Sequence, residues 1–154
     1  NLPLVGNSDY KRLKKYTLKV GDLVFSRVGS IDRCSIVSDF ENGWLFSGRC
    51  LRVRVGLNFV PSFLYYFLNN DYSRNWILNN AVGSTMHCLN TTILSNLPVI
   101  ISSIKEQVQI VSILHSVDKA IETEEIYRQK LLSAKFGLME DLLTGTVRVN
   151  HLAK

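Results

Sequence analysis

Three arginines and a handful of small polar residues carry most of the chemistry this sequence has to offer. Arg27, Ser30 and Arg33 fall close together, Arg49 follows, and Ser84, Thr85, His87 and Asn90 gather in a second short stretch. A guanidinium can fork onto the O6 and N7 atoms of guanine, while hydroxyl, carboxamide and imidazole groups bond base edges or phosphate oxygens. As a set they suit readout of a nucleic-acid groove. Any one of them alone is equally at home on a solvated surface.

Catalytic constellations are missing. There is no Gly-x-x-x-x-Gly-Lys phosphate loop, Gly-x-Gly-x-x-Gly turn, His-Glu-x-x-His pair or Gly-x-Ser-x-Gly elbow. His87, His115 and His151 are far apart, which favours surface or packing roles over a general base or ligand. Cys34, Cys50 and Cys88 are odd in number and lack a Cys-x-x-Cys pair, so neither a disulfide framework nor a zinc site is expected, and a reducing cytoplasm fits them best. No cofactor is expected. The chain is read as non-catalytic, with an unrecognised small enzyme as the remaining alternative.

The elements that must hold these residues can be traced along the chain. Asp9 to Lys15 reads as a short basic helix with an acid at its N-terminal end. Leu23-Val24-Phe25 and Ser35-Ile36-Val37 have the bias of buried strands, and Leu51-Arg52-Val53-Arg54-Val55 alternates as a half-exposed strand does. The first arginine group therefore lies on the loop between two strands, with Gly29 at its bend. Two short helices are expected over residues 59–69 and 72–80, the first with Pro61 in its opening turn. A further loop spans residues 83–87, and Leu97-Pro98-Val99-Ile100-Ile101 has the composition of an edge strand.

From Ser103-Ile104-Lys105-Glu106, which has capping-box spacing, a helical pattern runs through Gly137 to Leu143, with Gly145 where a C-terminal cap belongs. Such a helix has about 40 residues and a length of roughly 60 Å. Ile110, Leu114, Val117 and Ile121, then Tyr127, Leu131, Leu138 and Leu142, recur at the steps of a coiled-coil seam, interrupted by Glu122-Thr123-Glu124-Glu125. A 154-residue chain is too small to cover a rod of that length, so the seam is expected to pair with another protein or another copy. An ordinary amphipathic core helix is the alternative.

The net charge of +5 is unevenly placed. Residues 1–100 contain eleven Lys and Arg against six acids, whereas residues 101–154 contain seven of each. A positive field confined to one module is what a polyanion binder needs, since each neutralised phosphate releases counterions. No apolar run approaches the ~18 residues of a membrane-spanning helix, and the N-terminus lacks the order of a secretion signal.

These residues resemble a known family. Val20 to Arg33, with Gly21-Asp22 and Phe25-Ser26-Arg27-Val28-Gly29-Ser30-Ile31-Asp32-Arg33, is similar to the first strand and loop of target-recognition domains in specificity subunits of type I restriction-modification systems. Gly83-Ser84-Thr85-Met86-His87-Cys88-Leu89-Asn90, Leu97-Pro98-Val99, Glu106-Gln107-Val108-Gln109-Ile110-Val111 and the closing stretch from Phe136 to Val149 resemble further segments of that family, in order and at its spacing. The resemblance spans residues 10–149. It implies a subunit that reads one half of a split double-stranded DNA sequence, does no chemistry itself, and uses long antiparallel helices to hold modification (methyltransferase) subunits, with the restriction subunit as a further partner. With one reading domain and one helix, the chain resembles half of such a subunit, needing a second copy or another half.

Two departures stand out. Asp32 occupies a position where the family commonly has glycine, placing an acid that would accept from cytosine N4 or repel phosphate. The resemblance also starts partway into the family's domain, so the reading domain is expected to lack its N-terminal part. The resulting expectation is an α+β protein: a small mixed target-recognition domain over residues 1–101, a long coiled-coil helix over 102–145, and a C-terminal strand or tail over 146–154. DNA contact is assigned to Arg27, Ser30, Arg33, Arg49, Ser84, Thr85, His87 and Asn90. The alternative is an assembly module whose helix holds partners while DNA is read elsewhere.

Overall fold

A computed structural model describes residues 4–83 and 87–149. The chain forms two units, residues 1–111 and residues 112–154. The first is built on a three-stranded antiparallel sheet of order β2-β1-β3, with β1 at Leu23–Ser26, β2 at Cys34–Ile36 and β3 at Cys50–Val53. In the central strand Leu23 and Phe25 are fully buried while Val24 and Ser26 are half-buried, the two-residue alternation of a sheet with one face on a core. Leu23 lies between Ile36 and Val53, and Phe25 between Cys34 and Leu51.

Two helices supply much of the rest of that core. α2 (Pro61–Asn69) opens on a proline, whose missing N–H costs nothing in a first turn. α3 (Asp71–Asn80) starts where the Asn70 side chain accepts the Ser73 N–H at 2.8 Å. Leu64, Leu68 and Ile77 from these helices join Leu23, Phe25, Ile31, Leu51, Leu89 and Leu97 in one apolar cluster. Asn69 fastens α2 to β2: its carboxamide oxygen accepts the Cys34 N–H at 3.2 Å, and its nitrogen donates to the Cys34 carbonyl at 3.2 Å. Burial pushes the Cys34 thiol up to about 12, despite the opposing hydrogen bond from Asn69, so this cysteine is a packing residue and not a nucleophile.

The N-terminal helix, α1 (Asn7–Arg12), is shorter than its sequence pattern suggests and gives way to a 3-10 turn at Lys14–Tyr16. The segment is then captured by residues 43–46: Leu18 N–H donates to the Trp44 carbonyl, Gly43 N–H to Leu18, and Phe46 N–H to Tyr16. Behind it Asp22 is buried, accepting from the Lys19 N–H at 2.8 Å and from Arg54 Nε and a terminal nitrogen at 2.8 and 2.7 Å. Burial alone would raise the Asp22 carboxyl, but Arg54, the Lys19 amide and the nearby Arg52 outweigh it and hold it below the ordinary value.

Residues 97–101 do not form the expected edge strand. A short helix, α4 (Thr91–Ser95), precedes them, capped by the Asn90 carboxamide oxygen on the Ile93 N–H at 2.8 Å. Leu97 is buried in the core, and Pro98 offers no N–H to a ladder.

The long helix α5 runs without a break over Ile104–Leu143, 40 residues in all. Ser103 Oγ accepts the Glu106 N–H at 3.3 Å at its start. At its end Gly145 takes the left-handed conformation, φ 76°, that a glycine adopts without a Cβ penalty. Its second turn belongs to the first unit through Gln107, which is fully buried. The Gln107 Oε1 accepts the Val60 N–H at 2.8 Å, and Nε2 donates to the carbonyls of Asn58 and Ser102 at 3.0 and 2.9 Å. One side chain thus satisfies three backbone groups on two loops. Gln107→Leu would leave all three without a protein partner, and urea unfolding followed by circular dichroism should show a loss of about 2–4 kcal/mol. A change under about 0.5 kcal/mol would mean that water replaces these bonds at no cost.

Candidate nucleic-acid interface

The loop between β1 and β2 is held from both sides at its first residue. Arg27 N–H donates to the Arg49 carbonyl at 2.8 Å, and the Arg27 carbonyl accepts the Leu89 N–H at 2.9 Å. Val28 and Cys88 continue this contact as an antiparallel bridge, and Cys88 pairs in turn with Val82. Arg27, Arg49 and the 87–90 segment, distant in sequence, are therefore fixed side by side at one end of the sheet.

Inside the loop, Ser26 Oγ donates to the Val28 carbonyl at 2.7 Å, Gly29 turns the chain at φ 85°, and Ile31 is driven fully into the core. Ile31 acts as a nail: it fixes the loop while leaving Arg27, Val28, Gly29, Ser30 and Arg33 exposed. Nothing lies within 4 Å of where a Cβ on Gly29 would stand, so its requirement is conformational and not steric.

Of the expected contact residues, Arg27, Ser30, Arg33, Arg49 and His87 are all exposed. Among the described residues the Arg27 side chain makes a 3.4 Å contact to the Gly48 carbonyl, a weak restraint on an exposed side chain. Arg33 is 70% exposed, with its Nε 3.9 Å from Asp32. Asn90 has a structural duty as the cap of α4 and is half-buried. Ser84 and Thr85 lie outside the described residues.

Asp32 is occupied from within. Arg74 of α3 donates through Nε and a terminal nitrogen to one Asp32 oxygen, at 3.1 and 2.9 Å, and the carboxylate side chain is only 14% exposed. Burial would raise the Asp32 carboxyl; the Arg74 hydrogen bonds and charge, with Arg33 and a backbone bond, bring it below the ordinary value. Asp32 therefore ties the loop to α3, with its charge matched by Arg74. Sequence reading missed this pairing because Asp32 and Arg74 are 42 residues apart; the only available signal was that Arg74 is the sole basic residue of its helix. Arg74→Ala should destabilise the unit by about 1–2 kcal/mol in urea unfolding, a range reduced for the partial exposure of the pair. Adding Asp32→Gly should restore most of that loss, whereas an equally large loss in the double variant would show that Arg74 acts through something other than Asp32.

Among the described residues no three His, Cys, Asp or Glu side chains converge as a metal site would require. What converges is cationic and hydrogen-bonding, on a hydrogen-bonded backbone and open to solvent. Such an arrangement can meet phosphate oxygens and base edges.

The second unit presents a different surface. Leu114, Val117, Ile121, Tyr127, Leu131, Leu138 and Leu142 are all exposed along α5, while Ile110 in the first unit is half-buried. The acidic interruption is engaged locally: Arg128 forks onto both Glu125 oxygens at 2.8 Å, Gln129 adds a third bond, and the Glu125 carboxyl is held down at about 2. Leu131, Ala134, Leu138, Met139 and Leu142 line a continuous apolar strip beyond it.

Residues 5–132 match the family described as type I restriction modification DNA specificity domain. The type I restriction enzyme MjaVIII specificity subunit of Methanocaldococcus jannaschii is 26% identical over 148 residues, covering 91% of this chain and 35% of that protein. The putative type I restriction enzyme MjaX specificity subunit of the same organism is 31% identical over 142 residues, covering 88% and 33%. In fold, the chain is similar to the HsdS subunit from Thermoanaerobacter tengcongensis, with a TM-score of 0.62 at 17% identity over 87% of this chain and 35% of the other. It is also similar to the type I restriction-modification system S subunit from M. genitalium, with a TM-score of 0.52 at 17% identity over 82% and 36%. The chain spans about a third of the length of these relatives.

Proposed function

This chain belongs to the type I restriction-modification DNA specificity domain family, and on that premise we propose that it reads one half of a bipartite double-stranded DNA target without catalysing any reaction itself. The observation that carries this reading is the pinning of Arg27 between Arg49 and Leu89. It gathers exposed Arg27, Ser30, Arg33, Arg49 and His87 at one sheet end, on the module that holds the whole positive excess of the chain. Arg27 and Arg33 act as the base readers, and Arg49 and His87 as flanking contacts. Ser84 and Thr85 are assigned contacts of the same kind, and Asn90 contributes by capping α4.

The long helix has the second role in the proposal. Its exposed apolar strip docks modification subunits and lies antiparallel against a second such helix, from another copy or another half-subunit. The rod then sets the separation of the half-sites, and the restriction subunit joins the assembly so formed. The three cysteines are all free thiols, which fits a reducing cytoplasm.

Fluorescence anisotropy with duplex DNA pools, with and without a modification subunit, tests the proposal. Salt-sensitive binding that the modification subunit strengthens is the expected result. If the modification subunit is recruited but the assembly never gains affinity for DNA, the chain is an assembly module and DNA is read elsewhere.

A further inference from the structure

The cations of the N-terminal segment are not used by the reading loop. Lys11, Lys14, Lys15 and Lys19 are exposed on the N-terminal segment, and among the described residues none of the four is ion-paired, whereas Arg12 is bridged to Asp9 and Arg54 to Asp22. Their backbone is not a loose tail. The ladder from Tyr16 and Leu18 to residues 43–46 fixes it, the Tyr10 hydroxyl donates to the Gly43 carbonyl at 3.0 Å, and Arg52 donates to the carbonyls of Lys15 and Thr17 at 3.3 and 2.7 Å.

Aromatic rings are interleaved with these charges. Lys15 Nζ stands 4.9 Å over the Tyr16 ring, Tyr16 meets Phe46 edge-on at 6.0 Å, and Arg52 lies 5.1 Å over Phe46. The rings and the Arg52 bonds hold the segment against β3 while the lysine heads stay in water. The result is a set of exposed ammonium groups on a fixed backbone, without ion pairs among the described residues, which lowers the ordering cost of meeting anions.

These contacts give the lysines their place. Tyr16 packs on Phe46 and Arg52 bonds the Lys15 carbonyl, while Arg27 reaches the Gly48 carbonyl, so the lysine segment and the reading loop flank one stretch of chain, residues 46–52. Lysine, a flexible point charge, suits phosphate contact, while arginine on the pinned loop suits bases.

We propose that Lys11, Lys14, Lys15 and Lys19 form a second DNA contact, binding backbone phosphates that flank the bases read by the Arg27 loop and carrying affinity but no sequence preference. This rests on the DNA-reading function proposed above and divides its interface into a reading loop and a clamping segment.

The test compares the full chain with its Lys11→Gln, Lys14→Gln, Lys15→Gln, Lys19→Gln quadruple variant, each bound to its modification subunit, by anisotropy across about 50–200 mM salt. Circular dichroism of the variant should be unchanged, because all four side chains are exposed and, among the described residues, only Lys15 makes a tertiary or ring contact, a weak cation–π contact at an exposed site. Each lost phosphate contact removes about 0.9 from the slope of log affinity against log salt, so the slope should fall by two or more and affinity at low salt at least tenfold. The ranking of cognate over altered duplexes should stay the same. Identical affinity and slope in the quadruple variant would overturn the clamp while leaving the reading function standing. A collapse of sequence ranking would also overturn it, because the lysines would then be reading bases. Wild-type protein without any salt-dependent DNA binding would sink the reading function itself and the clamp with it.

Discussion

Changing both Arg27 and Arg33 to alanine is expected to weaken binding to the cognate duplex by about two orders of magnitude, with little change in binding to unrelated DNA. Each arginine that forks onto a guanine is worth about 1–3 kcal/mol of discrimination, and the two act from one loop. The fold should survive, because Arg27 is held through its backbone and not its side chain, and Arg33 is exposed. Loop position is set by Ile31 in the core and by the Asp32–Arg74 pair, neither of which is touched. The informative readout is the ratio of cognate to non-cognate affinity in competition anisotropy. A ratio equal to wild type would remove this loop from base reading, whatever its effect on overall affinity.

A comparable effect is expected on assembly. Val117→Asp together with Leu131→Asp puts two carboxylates into the exposed apolar strip of α5. If that strip is buried against a partner, each substitution loses about 1.5–3 kcal/mol of apolar burial and adds the cost of an unpaired acid in the seam. Together they should lower affinity for the second helix or the modification subunit at least a thousand-fold. Both sites lie in the second unit, beyond Val111, so the reading unit should keep its own unfolding transition. Sedimentation velocity and pull-down of the modification subunit measure the result. Wild-type chain that stays monomeric at tens of micromolar and recruits no modification subunit would contradict the assembly role before the variant is even needed.

Much of this architecture was legible in the sequence because it is written in local patterns. The alternation in Leu23-Val24-Phe25, the proline that opens α2, and the long helical pattern that runs through Gly137 and ends near Gly145 each reflect short-range rules, and β1, α2 and α5 form where those rules place them. The family resemblance likewise rests on residues 10–149 and agrees with the match over residues 5–132. What was not legible depends on pairs distant in sequence. The Asp32–Arg74 bond turns an expected DNA-facing acid into a loop anchor. Asn90, expected at the interface, caps a helix whose five residues, Thr91–Ser95, are too few to show periodicity. The strand expected at 97–101 is absent because an apolar run cannot reveal whether a neighbouring strand is there to pair with it. Gln107 belonged to a recognised motif, yet its burial against the Asn58 and Ser102 carbonyls could be found only in three dimensions.

The most direct test of the central claim is selection from a randomised duplex pool by the chain assembled with its modification subunit, followed by sequencing of the retained DNA. The account predicts enrichment of a short defined half-site, and loss of preference at a single base pair of that half-site when Arg33→Ala is selected in parallel. Retained DNA with the same base composition at every position as the starting pool would contradict the claim that this domain reads sequence.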